Sequence, residues 1–187
     1  MNTLAAAGGL LAIAIFSTAG GPSLSSALRA PESRFTDLSP EACRLSALHG
    51  LKSLADLGKL SCPGLGGARV VLSVRADRTA LGFAWSSQES VEDVVRGRSY
   101  QPAVEWRGVT TARGFEPYAA IVRVLHAAPA VGSSIAVVRV RPGEACLLAE
   151  IDAADEGDAA EAARRLADRE APGRGCGHSP ARSVLGS

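Results

Sequence analysis

The chain has 187 residues, 47% of them hydrophobic, which suits a single domain that buries its own core. It contains 20 Lys and Arg and 19 Asp and Glu, so its net charge is +1. This balance gives no electrostatic basis for binding nucleic acid or an anionic membrane surface. We therefore predict no nucleic-acid partner and expect a protein or envelope component instead.

The first part of the chain has the pattern of a secretory signal peptide. An apolar run from Leu4 to Phe16 is followed by small residues, with candidate cleavage positions at Ala19 and Ala27. The run is shorter than the roughly 20 apolar residues that a membrane-spanning helix needs. We predict a signal peptide over 1–27, and hence a periplasmic or secreted protein with no membrane span in the mature chain. Because no Lys or Arg precedes the apolar run, an uncleaved membrane anchor is the alternative.

The remaining boundaries follow from composition. The segment before Pro40 is rich in Gly, Pro and Ser and has no periodicity, which predicts a flexible lead-in over 28–39. A single α+β domain is predicted over 40–177, and a disordered tail over 178–187.

The cysteines predict disulfides. Cys43, Cys62, Cys146 and Cys176 form an even set, and exported proteins fold where paired thiols persist. Proximity in sequence favours Cys43 with Cys62 and Cys146 with Cys176, among three possible pairings. The second bond would pin the tail to a hairpin. Each bond is expected to stabilise the fold by about 2 to 4 kcal/mol.

The sequence is compatible with two structures for residues 43–60. Leucines recur every third residue from Leu45 onward, which is typical of a helix, but glycines interrupt the stripe. The alternative, which we favour slightly, makes 43–48 and 59–62 two strands joined by a long loop and linked by a disulfide.

Short apolar runs predict further elements in the middle of the chain. Runs over 70–75 and 80–85 flank turn residues and predict a hairpin. The valines after Ser87 suggest a short helix that ends near Gly97. Other strands are predicted over 103–106 and 115–125.

The most readable element is a hairpin around Pro142-Gly143, which suits the two central positions of a type II turn. A two-residue loop pairs Arg141 with Glu144 and, further along, Val137 with Leu148. A four-residue loop with shifted pairing is the alternative. Since side chains alternate across a strand, one face is apolar. Its predicted members are Ala136, Val138, Val140, Leu147, Ala149 and Ile151.

The strongest helical pattern lies between Asp155 and Arg169, with acidic residues early and arginines late, as the helix dipole favours. A stripe of small residues lets this helix approach a sheet closely. We expect it to cover the hairpin face that carries Val137, Leu148 and Cys146. The predicted fold class is α+β: an antiparallel sheet of about five to seven strands with the C-terminal helix on one face, held by disulfides.

Several short motifs follow one another in a definite order after the signal peptide. They are Cys43-Arg44, Ser61-Cys62-Pro63-Gly64, Val104-Glu105-Trp106-Arg107, Phe115-Glu116-Pro117-Tyr118-Ala119-Ala120-Ile121, Gly143-Glu144-Ala145-Cys146, Ile151-Asp152-Ala153, Ala162-Ala163-Arg164-Arg165-Leu166-Ala167-Asp168 and Cys176-Gly177. This order resembles a family of uncharacterised exported bacterial proteins. The resemblance implies a first strand that ends at Cys43 and a second that ends at Cys62. It implies no activity or ligand, because none is assigned in that family.

A serine hydrolase needs an activated nucleophile with a histidine nearby, and the chain contains no G-x-S-x-G turn. An unfamiliar hydrolytic site would have to combine His126, at the end of a predicted strand, with Glu150 and Asp152 of the hairpin. Cross-strand ion pairs account for these carboxylates without catalysis. We therefore predict no catalytic residues.

The second candidate chemistry is a zinc site. Cys176 and His178 are close in sequence, but a closed site needs four ligands, so Cys146 and Cys62 would have to leave their disulfides. The chain has no C-x-x-C motif for a thiol redox site. The sequence predicts neither a metal nor a cofactor.

The segment from Trp106 to Tyr118 combines aromatic side chains and arginines around a Gly-Val-Thr-Thr stretch. This composition is typical of an interaction surface. Core packing is the alternative explanation for the aromatic residues. The candidate binding residues are Trp106, Arg107, Arg113, Phe115 and Tyr118.

These features predict an exported, non-enzymatic binding or structural module with an unknown protein or envelope component as its partner. An inhibitor of an exported hydrolase is the first alternative, and it would present an exposed, rigid loop rather than a pocket. An uncharacterised hydrolase around His126 is the second.

Overall fold

The computed structural model describes residues 29–45, 58–74, 78–86, 91–126, 132–153, 156–173, 175–177 and 182–184. The predicted signal peptide over 1–27 and the connection over 46–57 lie outside these residues. The described strands are β1 (Glu32–Asp37), β2 (Arg44–Leu45), β3 (Lys59–Cys62), β4 (Arg69–Val74), β5 (Thr79–Ala84), β6 (Val95–Gly97), β7 (Ser99–Thr111), β8 (Gly114–His126), β9 (Gly132–Arg141), β10 (Glu144–Asp152) and β11 (Arg182–Val184), and the helix α1 spans Glu156–Glu170.

The strands form two sheets. The larger has the order β1-β7-β8-β9-β10-β11 and is antiparallel except for the parallel pair of β10 and β11. The smaller has the order β2-β3-β4-β5-β6 and is antiparallel. The predicted α+β class is confirmed, with its strands divided between two sheets rather than gathered in one. The long strands of the larger sheet are apolar on both faces, so each face needs a cover.

The larger sheet is the middle layer of the molecule. On one face, Trp106, Val122 and Val138 pack in a core shared with the smaller sheet. Phe83 of β5 meets Trp106 edge-on, with 5.8 Å between the ring centroids. This first core therefore joins the two sheets around Trp106.

Helix α1 covers the other face through small side chains. Ala159, Ala163, Ala167 and Ala171 recur every four residues and are buried, because this spacing places them on one side of the helix. The predicted contact between the helix and the hairpin face is confirmed. The sheet residues beneath the helix include Ala119, Ile121, Ile135, Val137 and Leu148.

Both predicted disulfide pairings are confirmed. Cys43–Cys62 links the chain before β2 to β3, and Cys146–Cys176 links β10 to the chain after the helix. Strands β2 and β3 pair antiparallel, so the described part of 43–60 has the strand structure that we favoured. The hairpin predicted over 70–85 is confirmed as β4 and β5.

The predicted flexible lead-in over 28–39 contains strand β1, so the domain begins before Pro40. Glu32–Asp37 pairs along its whole length with β7, and Trp106 Nε1 donates a hydrogen bond to Thr36 Oγ1 at 2.8 Å. The sequence shows no strand pattern over Glu32–Asp37 because β1 is an edge strand. Its one large apolar residue, Phe35, is 62% exposed, so no alternation of apolar and polar residues marks the strand.

Two further predictions are corrected. The short helix expected to end near Gly97 is absent from its described part, where 91–94 has no regular structure and Val95–Gly97 pairs with β5. Valine is β-branched and favours strands, which explains the difference. The predicted disordered tail over 178–187 includes β11, which adds to β10; the rest of that tail lies outside the described residues.

The central hairpin has the predicted turn, with Gly143 at a φ of 76°, and the first four residue pairs agree with the prediction. At Leu148 a β-bulge shifts the register, so Val137 pairs with Ala149. The shift turns Ala149 and Ile151 towards the helix, opposite to the predicted face. The bulge thus divides β10 between the two cores.

Candidate functional site

A groove opens where the turns of the larger sheet meet the smaller sheet. It has a volume of about 300 Å³. It lies between the β7–β8 turn, the β9–β10 turn and the turn that follows β3, and we call it the tip groove. Its lining residues are Gly66, Ala68, Trp85, Arg113, Phe115, Glu116, Pro117, Val140, Arg141 and Pro142.

Two glycines shape the walls of the tip groove. Gly66 has a φ of 63° and lies so close to Pro117 that a Cβ at this position would come within 2.5 Å of the proline Cδ. Gly143 follows Pro142 and has a φ of 76°. Both residues are in the left-handed conformation that glycine adopts without steric cost. The local sequence therefore determines how closely these turns approach the groove.

The apolar wall is held in place by Phe115. Its ring packs across Gly108, where a Cβ would lie 2.6 Å from Phe115 Cζ. The guanidinium carbon of Arg34 lies 4.6 Å from the centroid of the same ring, which is a cation–π contact. Trp85 also lines the groove and is half-buried against the first core. The groove lining thus contains two partly buried aromatic side chains, and contacts with Gly108 and Arg34 hold one of them, Phe115.

Charged side chains surround the mouth of the groove. The Arg113 side chain is 86% exposed and its Nη2 lies 3.1 Å from Glu116 Oε1. The Thr111 hydroxyl, with help from Arg113, lowers the pKa of Glu116, so this carboxyl is ionised at neutral pH. Arg141 is exposed and its Nη2 donates to the Pro172 carbonyl at 2.6 Å. The mouth therefore carries two cations and one anion.

The β7–β8 turn is exposed but constrained. Thr111 Oγ1 accepts a hydrogen bond from Arg113 N at 3.1 Å and donates to Glu116 Oε1 at 2.8 Å. Beside it, Arg29 Nη1 donates to the Thr110 carbonyl at 2.8 Å. These bonds tie the turn to both flanking strands and to the chain before β1.

The structure separates the five residues predicted as a binding surface. Trp106 has no exposed surface, so core packing, the alternative explanation, accounts for it. Arg107 and Tyr118 lie on the helix face of the sheet, whereas Arg113 and Phe115 line the tip groove. The predicted loop is a hairpin of two long strands, in which successive side chains point to opposite faces.

The groove residues Trp85, Pro117, Arg141 and Pro142 are not among the five predicted binding residues. Arg141-Pro142 at a predicted turn is the one local signal that points to an exposed site. The juxtaposition of this turn with Trp85 depends on how the two sheets pack, which no local pattern encodes.

Arg107 and Tyr118 belong to a polar network under α1. Arg107 Nε and Nη2 donate to the two carboxylate oxygens of Asp168, at 2.9 and 2.5 Å. Tyr118 OH donates to Asp168 Oδ1 at 2.5 Å, and Arg107 Nη1 donates to Ser33 Oγ at 2.7 Å. The bidentate contact raises the pKa of Arg107, which stays charged. Asp168 therefore joins the helix to β7 and β8.

Glu105 forms the second half of this network. It is 8% exposed and accepts bonds from Arg164 Nε and Nη2 at 2.6 and 3.0 Å. Ser33 also donates to it, so β1 is held by the same cluster. We assign the network a structural role, because each charge in it has a partner of opposite sign. The partners are 50 to 74 residues apart, so the sequence did not reveal them.

The surroundings of Tyr100 and Tyr118 predict that the protein loses stability at alkaline pH. Burial, before any other cause, raises the pKa of Tyr100 and Tyr118 above the ordinary value of 10.0. Below that value both phenols are neutral whether the chain is folded or not, so stability is unaffected. Above it the unfolded chain loses protons first, and the free energy of unfolding is expected to fall as pH rises beyond about 10.

Urea unfolding over a pH series, with tyrosinate absorbance as a second signal, tests this expectation. The absorbance should rise together with unfolding, and the double variant Tyr100→Phe/Tyr118→Phe should lose most of the alkaline slope. Ionisation of both phenols near pH 10 in the folded protein would contradict the prediction.

His126, Ser134 and Glu150 meet at the ends of β8, β9 and β10. Ser134 Oγ donates to Glu150 Oε1 at 2.5 Å, and His126 Nε2 lies 2.8 Å from Ser134 Oγ and 3.3 Å from the same carboxylate oxygen. The groups that the hydrolase alternative required therefore do converge.

Their arrangement differs from that of an activated serine. In a catalytic triad the serine proton goes to the histidine, and the acid binds the other ring nitrogen. Here the hydroxyl of Ser134 bonds the carboxylate of Glu150, and His126 contacts both groups through one nitrogen. Ser134 is also 7% exposed and lies within a strand rather than on a turn. Asp152, the other predicted acid, pairs with Ser134 in the sheet register and is exposed.

The sequence offers a metal site and a membrane anchor as alternatives. Among the residues that the structure describes, no three His, Cys, Asp or Glu side chains form a group that could hold a metal ion. Cys62, Cys146 and Cys176 are in disulfides, and His178 lies outside the described residues. No helix in the described part of the chain is long and apolar enough to cross a membrane.

The fold and the groove define a class of protein: an α+β domain of two sheets and one helix, held by two disulfides, with an aromatic groove at the turns of its larger sheet. No protein-family model, curated protein or solved structure matches the chain. The resemblance to exported bacterial proteins that the motif order indicates therefore stays a prediction.

Proposed function

We propose that this protein is an exported, non-enzymatic binding module that holds a segment of a protein or envelope partner in the tip groove. The groove itself carries the proposal: a cleft of about 300 Å³ that is lined by Trp85 and Phe115 and has arginines at its mouth. Rigid aromatic side chains and arginines are the residues that contribute most to protein interfaces.

Export is supported by the cysteines. All four cysteines are paired in disulfides, and paired cysteines persist in oxidising compartments. The signal-peptide pattern over 1–27 supports the same localisation, periplasmic or secreted. The two observations are independent of each other.

Pre-organisation favours binding at the groove. Thr111 constrains one turn, Gly143 sets the other, and Arg34 and Gly108 hold Phe115. A site whose side chains are already ordered loses little conformational entropy when a partner binds. The groove can therefore bind a short segment without a large contact area.

The charges indicate the chemistry of that segment. Arg113 projects from the mouth, and its one described ionic partner is Glu116. Guanidinium groups bind carboxylates in bidentate geometry. We propose that the occupant places an apolar side chain between Trp85 and Phe115 and a carboxylate against the arginines.

Site-specific photo-cross-linking tests the binding function. A photoreactive residue at Pro142, on the groove mouth, should give a discrete adduct in cell-envelope extract from the source organism. The same residue at Arg165, whose side chain is 60% exposed on the helix, is the control. Equal adducts at both positions, or none at Pro142, would count against the groove.

A matched charge reversal tests the role of Arg113. Arg113→Glu should weaken binding about tenfold or more, because close charge pairs across an interface have coupling energies of about 1.5 kcal/mol or more. Arg165→Glu makes the same charge change away from the groove and should leave affinity unchanged. Equal effects of the two variants would show that net charge, and not the groove, controls binding.

One observation also favours the second candidate, an inhibitor of an exported hydrolase. The β7–β8 turn is exposed and constrained, with Arg113 projecting from it, as that alternative requires. Purified protein should then inhibit an exported protease or glycosidase, and Arg113→Ala should weaken the inhibition. Absence of inhibition across a panel of exported hydrolases would contradict the inhibitor function, and the binding module would stay as the proposed function.

A further inference from the structure

The two disulfides lie in different environments. Cys43 and Cys62 are 7% and 2% exposed, within the core between the sheets. Cys146 and Cys176 are both partly exposed, and Cys176 lies between two exposed glycines. A dissolved thiol can therefore reach the second bond more readily than the first.

A buried cation adjoins the second disulfide. Arg139 has no exposed surface, and its Nη1 lies 3.4 Å from Cys176 Sγ. Its Nε donates to the Ala171 carbonyl at 3.3 Å and its Nη1 to Glu144 Oε2 at 2.6 Å. Nη2 has no acceptor among the residues that the structure describes. A buried donor without an acceptor is costly, and a disulfide sulfur is a poor acceptor.

Reduction of the bond would place a negative charge beside the Nη1 side of Arg139. A thiolate at Cys176 is a full negative charge next to a guanidinium that already contacts this sulfur. Arginine beside a cysteine stabilises its thiolate, and a thiol of lower pKa is the better leaving group in exchange. Among the two sulfurs, Cys176 is thus the one that leaves.

We propose that Cys146–Cys176 is a site of thiol–disulfide exchange, with a dithiol reductant of the thioredoxin type as its reactant. A thiolate of the reductant attacks Cys146 Sγ, the Cys146–Cys176 bond breaks, and Cys176 leaves with the electron pair as a thiolate beside Arg139. The second thiol of the reductant then attacks the mixed disulfide and releases Cys146. The reductant becomes a disulfide and loses two protons: one is taken up by Cys146, and the other goes to solvent while Cys176 stays a thiolate beside Arg139.

Exchange would remove the covalent link between the chain after the helix and the central hairpin. Hydrogen bonds from Arg139 to the Ala171 carbonyl, from Arg141 to the Pro172 carbonyl and from Cys176 N to Glu144 Oε1 would remain. The core between the sheets keeps Cys43–Cys62. The proposal rests on Arg139 and the second disulfide and does not depend on the tip groove.

Substitutions of Glu144 and of Arg139 are expected to change the rate of reduction of Cys146–Cys176 in opposite directions. The carboxylate of Glu144 offsets the charge of Arg139 and opposes a thiolate at Cys176. Glu144→Gln should therefore speed reduction and Arg139→Met should slow it, each about three- to tenfold, because a leaving-group thiol of lower pKa leaves faster in exchange. Arg139→Lys retains the charge and should stay near the wild-type rate.

Timed reduction of the whole protein by dithiothreitol, followed by acid quenching, alkylation and peptide mass spectrometry, tests the proposal. We expect Cys146 and Cys176 to become alkylated well before Cys43 and Cys62. Equal rates for the two bonds, or wild-type rates for both Arg139→Met and Glu144→Gln, would overturn it.

The test stays decisive if Arg139→Met does not fold. Circular dichroism checks each variant first, and Glu144→Gln, which keeps an acceptor for Cys176 N, then provides the comparison. Failure of Glu144→Gln to speed reduction would also overturn the proposal. The double variant Arg139→Met/Glu144→Gln removes both charges and should reduce more slowly than Glu144→Gln alone.

Discussion

Replacement of Trp106 by alanine is expected to lower the free energy of unfolding by about 3 to 5 kcal/mol, the range for removing a large buried aromatic side chain. Trp106 has no exposed surface and lies between the two sheets. The substitution also removes the edge contact with Phe83 and leaves Thr36 without the indole donor. The loss therefore affects both sheets and strand β1.

Urea unfolding followed by circular dichroism measures the effect of Trp106→Ala. Trp85→Ala is the matched control, because Trp85 is the chain's other tryptophan and is only half-buried. Its removal should cost roughly half as much or less, in proportion to the apolar area lost. Similar losses for the two variants would contradict the central position of Trp106.

Replacement of Asp168 by alanine is expected to lower the free energy of unfolding by about 2 to 4 kcal/mol, because it leaves a largely buried charge without a partner. The side chains of Arg107 and Asp168 are 11% and 27% exposed. The change also leaves the Tyr118 hydroxyl without its acceptor. Helix α1 would lose the contacts of Asp168 with β7 and β8 and would keep the pair of Arg164 with Glu105.

The control for Asp168→Ala lies on the same helix. Glu161 pairs with Arg165, and the two side chains are 65% and 60% exposed. Glu161→Ala should change stability by about 0.5 kcal/mol or less, since exposed pairs contribute little. The double variant Asp168→Ala/Arg107→Met should recover part of the loss because no charge is then left unpaired. If Asp168→Ala cost no more than Glu161→Ala, the network would have no special role.

Local chemistry made several elements predictable. Proline followed by glycine determined the turn at Pro142-Gly143, because their allowed φ values match its two positions. Small residues at helical spacing identified α1 and the face it covers. Proximity along the chain predicted both disulfides. In each case the signal lies within a short stretch of sequence.

Other features had no local signal. Strand β1 forms because β7 offers it an unpaired edge, and its own residues are mostly polar. The bulge at Leu148 sends Ala149 and Ile151 to the helix side, whereas strict alternation assigned them to the opposite face. A bulge adds one residue to one strand only, so alternation alone cannot reveal it.

The sequence by itself determined the class of the fold, the disulfides, the main turn and the small-residue face of the helix, because each depends on residues close together or on a simple period. The tertiary structure decided the division into two sheets, the network around Asp168 and the tip groove. These depend on side chains that are far apart in the sequence and meet only when the layers pack. Of the predicted binding residues, Arg113 and Phe115 line the groove because they lie at a turn. Trp106, on the neighbouring strand, is buried in the core.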